Sequence, residues 1–144
     1  MASSFRFLDD VAVADIAFEA EGDTVDELFR ATTEALIETL ADPKTVGTSW
    51  KKTIEKSEFE LGDLLFEWLS EIVYWKDAAG VVFHEAPLRV TKGDIGWTLN
   101  AALRGAPVDR ERQALRNDVK GITKHLYRVA QEGPRWTSRV VVDV

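Results

Sequence analysis

The stretch DLLFEWLSEIVYWK, residues 63–76, decides the fold class. Its apolar residues Leu64, Leu65, Trp68, Leu69, Ile72, Val73 and Trp75 cover more than one stripe of a helix, the pattern of a helix buried against a sheet. Gly62 and Asp63 form an acidic start, and Asp77 to Gly80 closes the run. Trp68 and Trp75, seven residues apart, share a face. Asp63, Glu67 and Glu71, spaced by four, line another. Such a carboxylate stripe serves acid–base chemistry, a basic partner or, most simply, the wet side of an amphipathic helix.

Outward from this helix the pattern is mostly that of strands. On the N-terminal side, Trp50 to Leu61 reads as a strand, with Ile54 apolar and Lys, Glu and Ser residues exposed. Before it, Thr24 to Glu27 has the form of a capping box. A helix over about Val25 to Leu40 follows, with Leu28, Ala31, Ala35, Leu36 and Leu40 on one core face and Asp42-Pro43 as its stop. Phe5 to Leu8 and Asp15 to Glu21 alternate as two short strands flanking a loop of Asp9 to Ala14, and Gly22 ends the second. On the C-terminal side, Val81 to His84, Leu88 to Thr91 and Trp97 to Leu103 read as strands. A polar loop covers Pro107 to Gln113, a short piece lies near Val119 to Thr123, and a hairpin pairs Leu126 to Ala130 with Arg135 to Val142 through a turn at Glu132 to Pro134. The sum is an α+β fold in one domain, residues 1–144, with mostly antiparallel sheet and two main helices packed against it.

Composition narrows the functions. A chain of 144 residues with 45% hydrophobic content suits a single core, and the absence of cysteine excludes disulfides, thiolate metal sites and cysteine nucleophiles. No stretch of about 18 apolar residues occurs, and Met1 to Phe5 lacks a basic segment leading into an apolar run. A soluble, cytoplasmic protein is the expectation. A net charge of −7 argues against direct phosphate-backbone binding, so work on RNA would go through a partner. There is no Gly-rich phosphate loop, nucleophile elbow or HExxH, and His84 and His125 do not form a zinc signature.

The chemistry left to the chain is carboxylate chemistry. Arg139 to Val144 runs an apolar strand into Asp143, whose side-chain carboxylate stands beside the terminal carboxylate of Val144. Oxygen groups of this kind on a rigid strand suit a hard divalent cation. Asp15 at the start of the second strand, and Asp9 and Asp10 in the loop before it, would join the site if the two edges meet; a polar turn is the plainer reading of Asp9 and Asp10. In the segment 118–125, Lys120, Thr123 and His125 gather polar groups around the anchors Val119 and Ile122. They bind phosphate or tune a neighbouring pKa, or else are satisfied by an Asp and by backbone.

Five short motifs in order make the chain resemble the archease family almost end to end. Ala12 to Asp15, leading into Ile16 to Gly22, is similar to the family's His-Thr-Ala-Asp tetrad and the strand after it. Thr24 to Phe29 matches its Glu-Leu-Phe helix start, and Leu64 to Glu71 its Leu-Leu-x-Glu-Trp-Leu-x-Glu helix. Val119 to His125 is similar to its Val-Lys-Ala-Val-Thr-x-His segment, and Val140 to Val144 to its closing strand. The resemblance implies a non-enzymatic accessory protein of tRNA splicing and RNA repair. It would act on an RtcB-type RNA ligase, promoting guanylylation of the ligase and multiple turnover. The ligase joins a 2′,3′-cyclic-phosphate or 3′-phosphate end to a 5′-hydroxyl. By the same resemblance, Asp15, Asp143 and the Val144 carboxylate form a divalent-metal site for Ca²⁺, Mg²⁺ or Mn²⁺, and Lys120 and His125 face the ligase. The chain departs from the family at Ala12, where the usual residue is His, and at Val13. A metal-independent chaperone or modulator of RNA-modifying enzymes is the alternative, and a carboxylate–metal hydrolase of phosphate esters ranks last.

Overall fold

The computed structural model describes residues 3–8 and 15–144; the loop of Asp9 to Ala14, and with it Asp9, Asp10, Ala12 and Val13, lies outside the described residues. The capping box forms as its sequence requires. Thr24 Oγ1 accepts from the Glu27 amide at 3.1 Å and the Glu27 carboxylate accepts from the Asp23 amide at 2.9 Å, which starts α1 (Val25–Leu40). At its end, the Asp42 carboxylate accepts from the Lys44 amide, and Pro43 opens a single 3₁₀ turn.

The second helix, α2 (Leu61–Ala79), begins two residues before Asp63 and ends three after Lys76. Leu61 is buried, so packing pulls the first turn back toward the strand. At the other end Gly80, in the left-handed region at φ 63°, donates its amide to Lys76 O and closes the helix.

The described residues form eight strands around these helices, in two sheets. β1 (Ser3–Leu8), β2 (Asp15–Gly22), β7 (Gly121–Glu132) and β8 (Arg135–Asp143) form one antiparallel sheet in the order β1-β2-β8-β7. The second sheet is built on β6 (Trp97–Pro107), flanked on one side by β3 (Trp50–Glu58). On its other side β4 (Val81–Glu85) and β5 (Leu88–Lys92) stand end to end. β6 therefore runs on to Pro107, into the expected polar loop, because β4 pairs with its far end. Gly105 is needed there: the backbone of Val82 and Phe83 occupies the position a Cβ would take.

Both helices lie between the two sheets. α1 packs on β1, β2 and β8 on one side and on β4 and β5 on the other; α2 packs on β7 and on β3, β4 and β6. This corrects the expectation of a single core face on α1. Besides Leu28, Phe29, Leu36 and Ile37, the polar residues Thr32, Thr33 and Thr39 are buried. Their hydroxyls donate to the carbonyls of Leu28, Phe29 and Ala35 at 2.6–2.8 Å, so burial leaves no orphaned donor. The Trp68 indole N–H donates to Thr33 Oγ1 at 2.9 Å and its ring is wholly buried. Trp75 shares that face but lies farther along it, half-buried against Trp50.

The short piece and hairpin expected over 119–142 form one long hairpin, β7 with β8, interrupted by a bulge. Thr123 pairs with Val141 and Arg128 with Arg139, so four residues of β7 (124–127) stand against Val140 alone. Among the described residues no helix is long and apolar enough to cross a membrane.

Candidate functional site

Strand period places the two carboxylates. In the β2–β8 ladder Asp15 lies directly opposite Asp143, followed by Ala17 opposite Val141 and Glu19 opposite Arg139 on the same face. That face points away from the helices, since Phe18 and Ala20 take the inward positions among core residues. Side chains directly opposite in an antiparallel pair have Cβ atoms about 4.5–5.5 Å apart, and like charges there repel. Asp15 is half-buried and Asp143 exposed. Among the described residues no ion pair reaches either one.

The flank of Asp143 is built by β7. Gly121 is its register partner, and a Cβ there would meet no heavy atom of the described residues within 4 Å, so these residues leave the space beside Asp143 open. Lys120 donates its amide to Asp143 O at 2.7 Å while its side chain is exposed. One step along the same face, Thr123 Oγ1 is buried with no hydrogen-bond partner among the described residues. Val144 turns its side chain against the core, fixing the backbone next to Asp143.

Lys76 holds this flank in place. It occupies the buried stripe of α2 one turn beyond Ile72, its side chain only 9% exposed. Its ammonium donates to Asp118 Oδ1 at 2.6 Å and to Val119 O at 2.7 Å, and pairs with Asp77 at 2.7 Å. Burial pushes its pKa down, but Asp118 and Asp77 outweigh that and hold it above the ordinary 10.5. The charged lysine thus staples the Asp118–Lys120 segment to the end of α2. Sequence reasoning missed it, although a cation at i+4 from Ile72 and i+8 from Trp68 is a legible signal.

His125 sits in the β7 bulge and is exposed. Among the described residues no three His, Asp or Glu side chains converge at metal-binding distance, so His125 does not complete the Asp15–Asp143 pair. His84 is structural, its Nδ1 lying 2.8 Å from the Pro43 carbonyl and donating to it. The α2 carboxylate stripe is the wet side of the helix. Asp63 lies 3.9 Å from Lys124, Glu67 is exposed, and Glu71 is bound by Lys56 at 2.8 Å and the Trp75 indole at 2.6 Å. Burial raises the Glu71 pKa, but these two donors together bring it below 4.5.

The donor set fits a hard divalent cation in kind. Two opposed carboxylates, an open flank and a buried hydroxyl nearby are oxygen groups of the type such ions take.

The model of the archease protein family (MTH1598/TM1083) matches residues 5–144. The chain is similar to protein archease of Methanopyrus kandleri, 31% identical over 131 residues that cover 91% of this chain and 94% of the other. It is similar to protein archease of Thermococcus gammatolerans, 30% identical over 132 residues covering 91% and 93%. The solution structure of Methanobacterium thermoautotrophicum protein 1598 superposes with a TM-score of 0.80 at 24% identity, over 98% of this chain and 99% of that one. An archease of Thermotoga maritima, described as a possible chaperone, does so with a TM-score of 0.65 at 20% identity, over 95% and 96%.

Proposed function

The chain belongs to the archease family, and from that premise we propose that it is a metal-binding accessory protein that activates an RtcB-type RNA ligase in tRNA splicing and RNA repair. It promotes guanylylation of the ligase and multiple turnover, and meets RNA only through the ligase. The observation that carries this reading is the Asp15–Asp143 pair, like charges directly opposite at the open end of a sheet. A fold gains nothing from that juxtaposition, whereas a cation or a cationic partner group does.

Asp15, Asp143 and the carboxylate of Val144 hold the cation, which is Mg²⁺, Mn²⁺ or Ca²⁺. When bound, it supplies positive charge toward phosphate oxygens. The chain's own residues do the rest. Lys76 fixes the backbone of the segment that carries Lys120, whose amide donates to Asp143 O. Lys120 and His125, both exposed, face the ligase. The net charge of −7 favours approach to a basic, RNA-binding partner.

The test is the initial rate of guanylylation of a purified RtcB-type ligase with GTP, with and without this protein, across Mg²⁺, Mn²⁺ and Ca²⁺. Acceleration by the wild-type chain, lost in Asp15→Asn and Asp143→Asn, is the expected result. Failure to accelerate with any of the three cations overturns the reading. Full acceleration by both variants overturns the metal-dependent form and leaves a metal-independent modulator.

A further inference from the structure

The β7 bulge carries one residue, Leu126, whose conformation and exposure the packing of the fold does not account for. Four residues stand against one on β8, so three extra residues leave the ladder within three positions of Asp143. Leu126 in this bulge has φ 57° and is the one non-glycine residue at positive φ among the described residues. That conformation crowds a leucine Cβ against its own carbonyl, while glycine or asparagine adopts it readily. Nor does the side chain serve the interior: Leu126 is 44% exposed and belongs to neither hydrophobic cluster.

The bulge is nevertheless held firmly. On one side of Leu126, the Tyr127 hydroxyl donates to Gly62 O at 2.6 Å and its ring meets Phe66 edge-on at 5.5 Å. On the other, the Lys124 ammonium lies 3.9 Å from the Phe66 ring centre and 3.9 Å from Asp63. A strained, exposed apolar side chain on a rigid mount is the arrangement of an interface anchor, for which ordering has already been met before binding. The surroundings define its partner. Lys124 and His125, which precede it in the bulge, are exposed, Lys124 facing Asp63 at 3.9 Å, and the exposed Lys120 lies just before the same strand, in a chain that is otherwise strongly acidic.

We propose that Leu126 is the apolar anchor with which the chain docks onto its ligase partner, entering an apolar socket rimmed by carboxylates beside the place where Asp15 and Asp143 act. This rests on the ligase reading above and adds to it a second, separable element: Leu126 supplies affinity and the carboxylate pair supplies activation.

The experiment measures binding of the full chain to a purified RtcB-type ligase by interferometry, together with thermal unfolding of the free chain. It compares wild type, Leu126→Asn, Leu126→Gly and Asp143→Asn. Both Leu126 variants accept a positive φ, so their unfolding temperature is expected to hold or rise while Kd weakens by about tenfold or more, as for loss of a central apolar anchor. Asp143→Asn is expected to keep binding and lose activation. Wild-type affinity in both Leu126 variants overturns the proposal and leaves the ligase reading standing. A fall in unfolding temperature that parallels the loss of binding also overturns it, by showing a structural role. Absence of any ligase binding by the wild-type chain overturns the ligase reading, and this proposal with it.

Discussion

The same two strands carry two charge pairs that share one face and lie four residues apart. Glu19 stands opposite Arg139, and Asp15 stands opposite Asp143. Backbone geometry and strand period are common to both, so the difference is chemical. At the first pair, Arg6 of β1 adds a second guanidinium 2.7 Å from Glu19, with Arg139 at 3.3 Å, and the charges close on one another. At the second, two carboxylates face each other with no cation from the described residues between them. The first pair is complete within the described residues; the second has no such cation among them. Comparing them separates what the sheet does for its own stability from what it offers to others.

The largest expected effect comes from making the second pair resemble the first. Asp143→Arg supplies the missing cation from the chain itself. Acceleration of ligase guanylylation should then fall by about 100-fold, the upper range for losing a metal-site group, while Glu19→Gln leaves it unchanged. Wild-type acceleration by Asp143→Arg would erase the distinction. Next in size is Lys76→Met, which leaves the Val119 carbonyl without its buried donor and frees the segment that flanks Asp143. Urea unfolding should show a loss of about 1–3 kcal/mol, and calorimetric titration with Mn²⁺ should show weaker binding if that flank shapes the site. Smaller still, Asp143→Asn without divalent cation should raise stability by about 0.2–1 kcal/mol by removing cross-strand repulsion. Adding Mn²⁺ should reverse the order, because a ligand that binds only the folded wild type stabilises it.

Much of this was legible in the sequence, for identifiable reasons. The apolar stripe of residues 63–76 fixes a buried helix by its period, and Thr24 to Glu27 names its own cap. Asp15 and Asp143 stand out because each sits at the end of an apolar strand. That they face each other was not legible, since register depends on how two strands more than 100 residues apart come together. The same holds for α1, whose Thr32, Thr33 and Thr39 become interior beside Ser138 of β8, Trp68 of α2 and Asn117, all distant in sequence. The β7 bulge is set by Tyr127 and Lys124 reaching the start of α2, contacts that no local pattern encodes. Lys76 was overlooked because a lysine in a last helical turn usually serves the helix dipole, whereas here it enters the core and binds a distant segment.

The smallest effect tests the first pair on its own terms. The Arg6 guanidinium, and Arg139 after it against the opposing effect of burial, hold the Glu19 carboxyl below its ordinary 4.5. A carboxylate with a lowered folded pKa contributes stability that is fully present above about 4.5, and that contribution is lost as pH falls through the lowered folded value. Arg6 is 75% exposed, so solvent screens the interaction and keeps it within about 1 kcal/mol. Glu19→Gln should therefore be slightly less stable than wild type at pH 7, with a gap that narrows on acidification and closes once the wild-type carboxyl is protonated. High salt at pH 7 should narrow it as well. At neutral pH and without cation its sign is opposite to that of Asp143→Asn, so paired unfolding curves of the two variants test the contrast directly. A gap of the same sign for both would mean that the two pairs play the same part in the sheet.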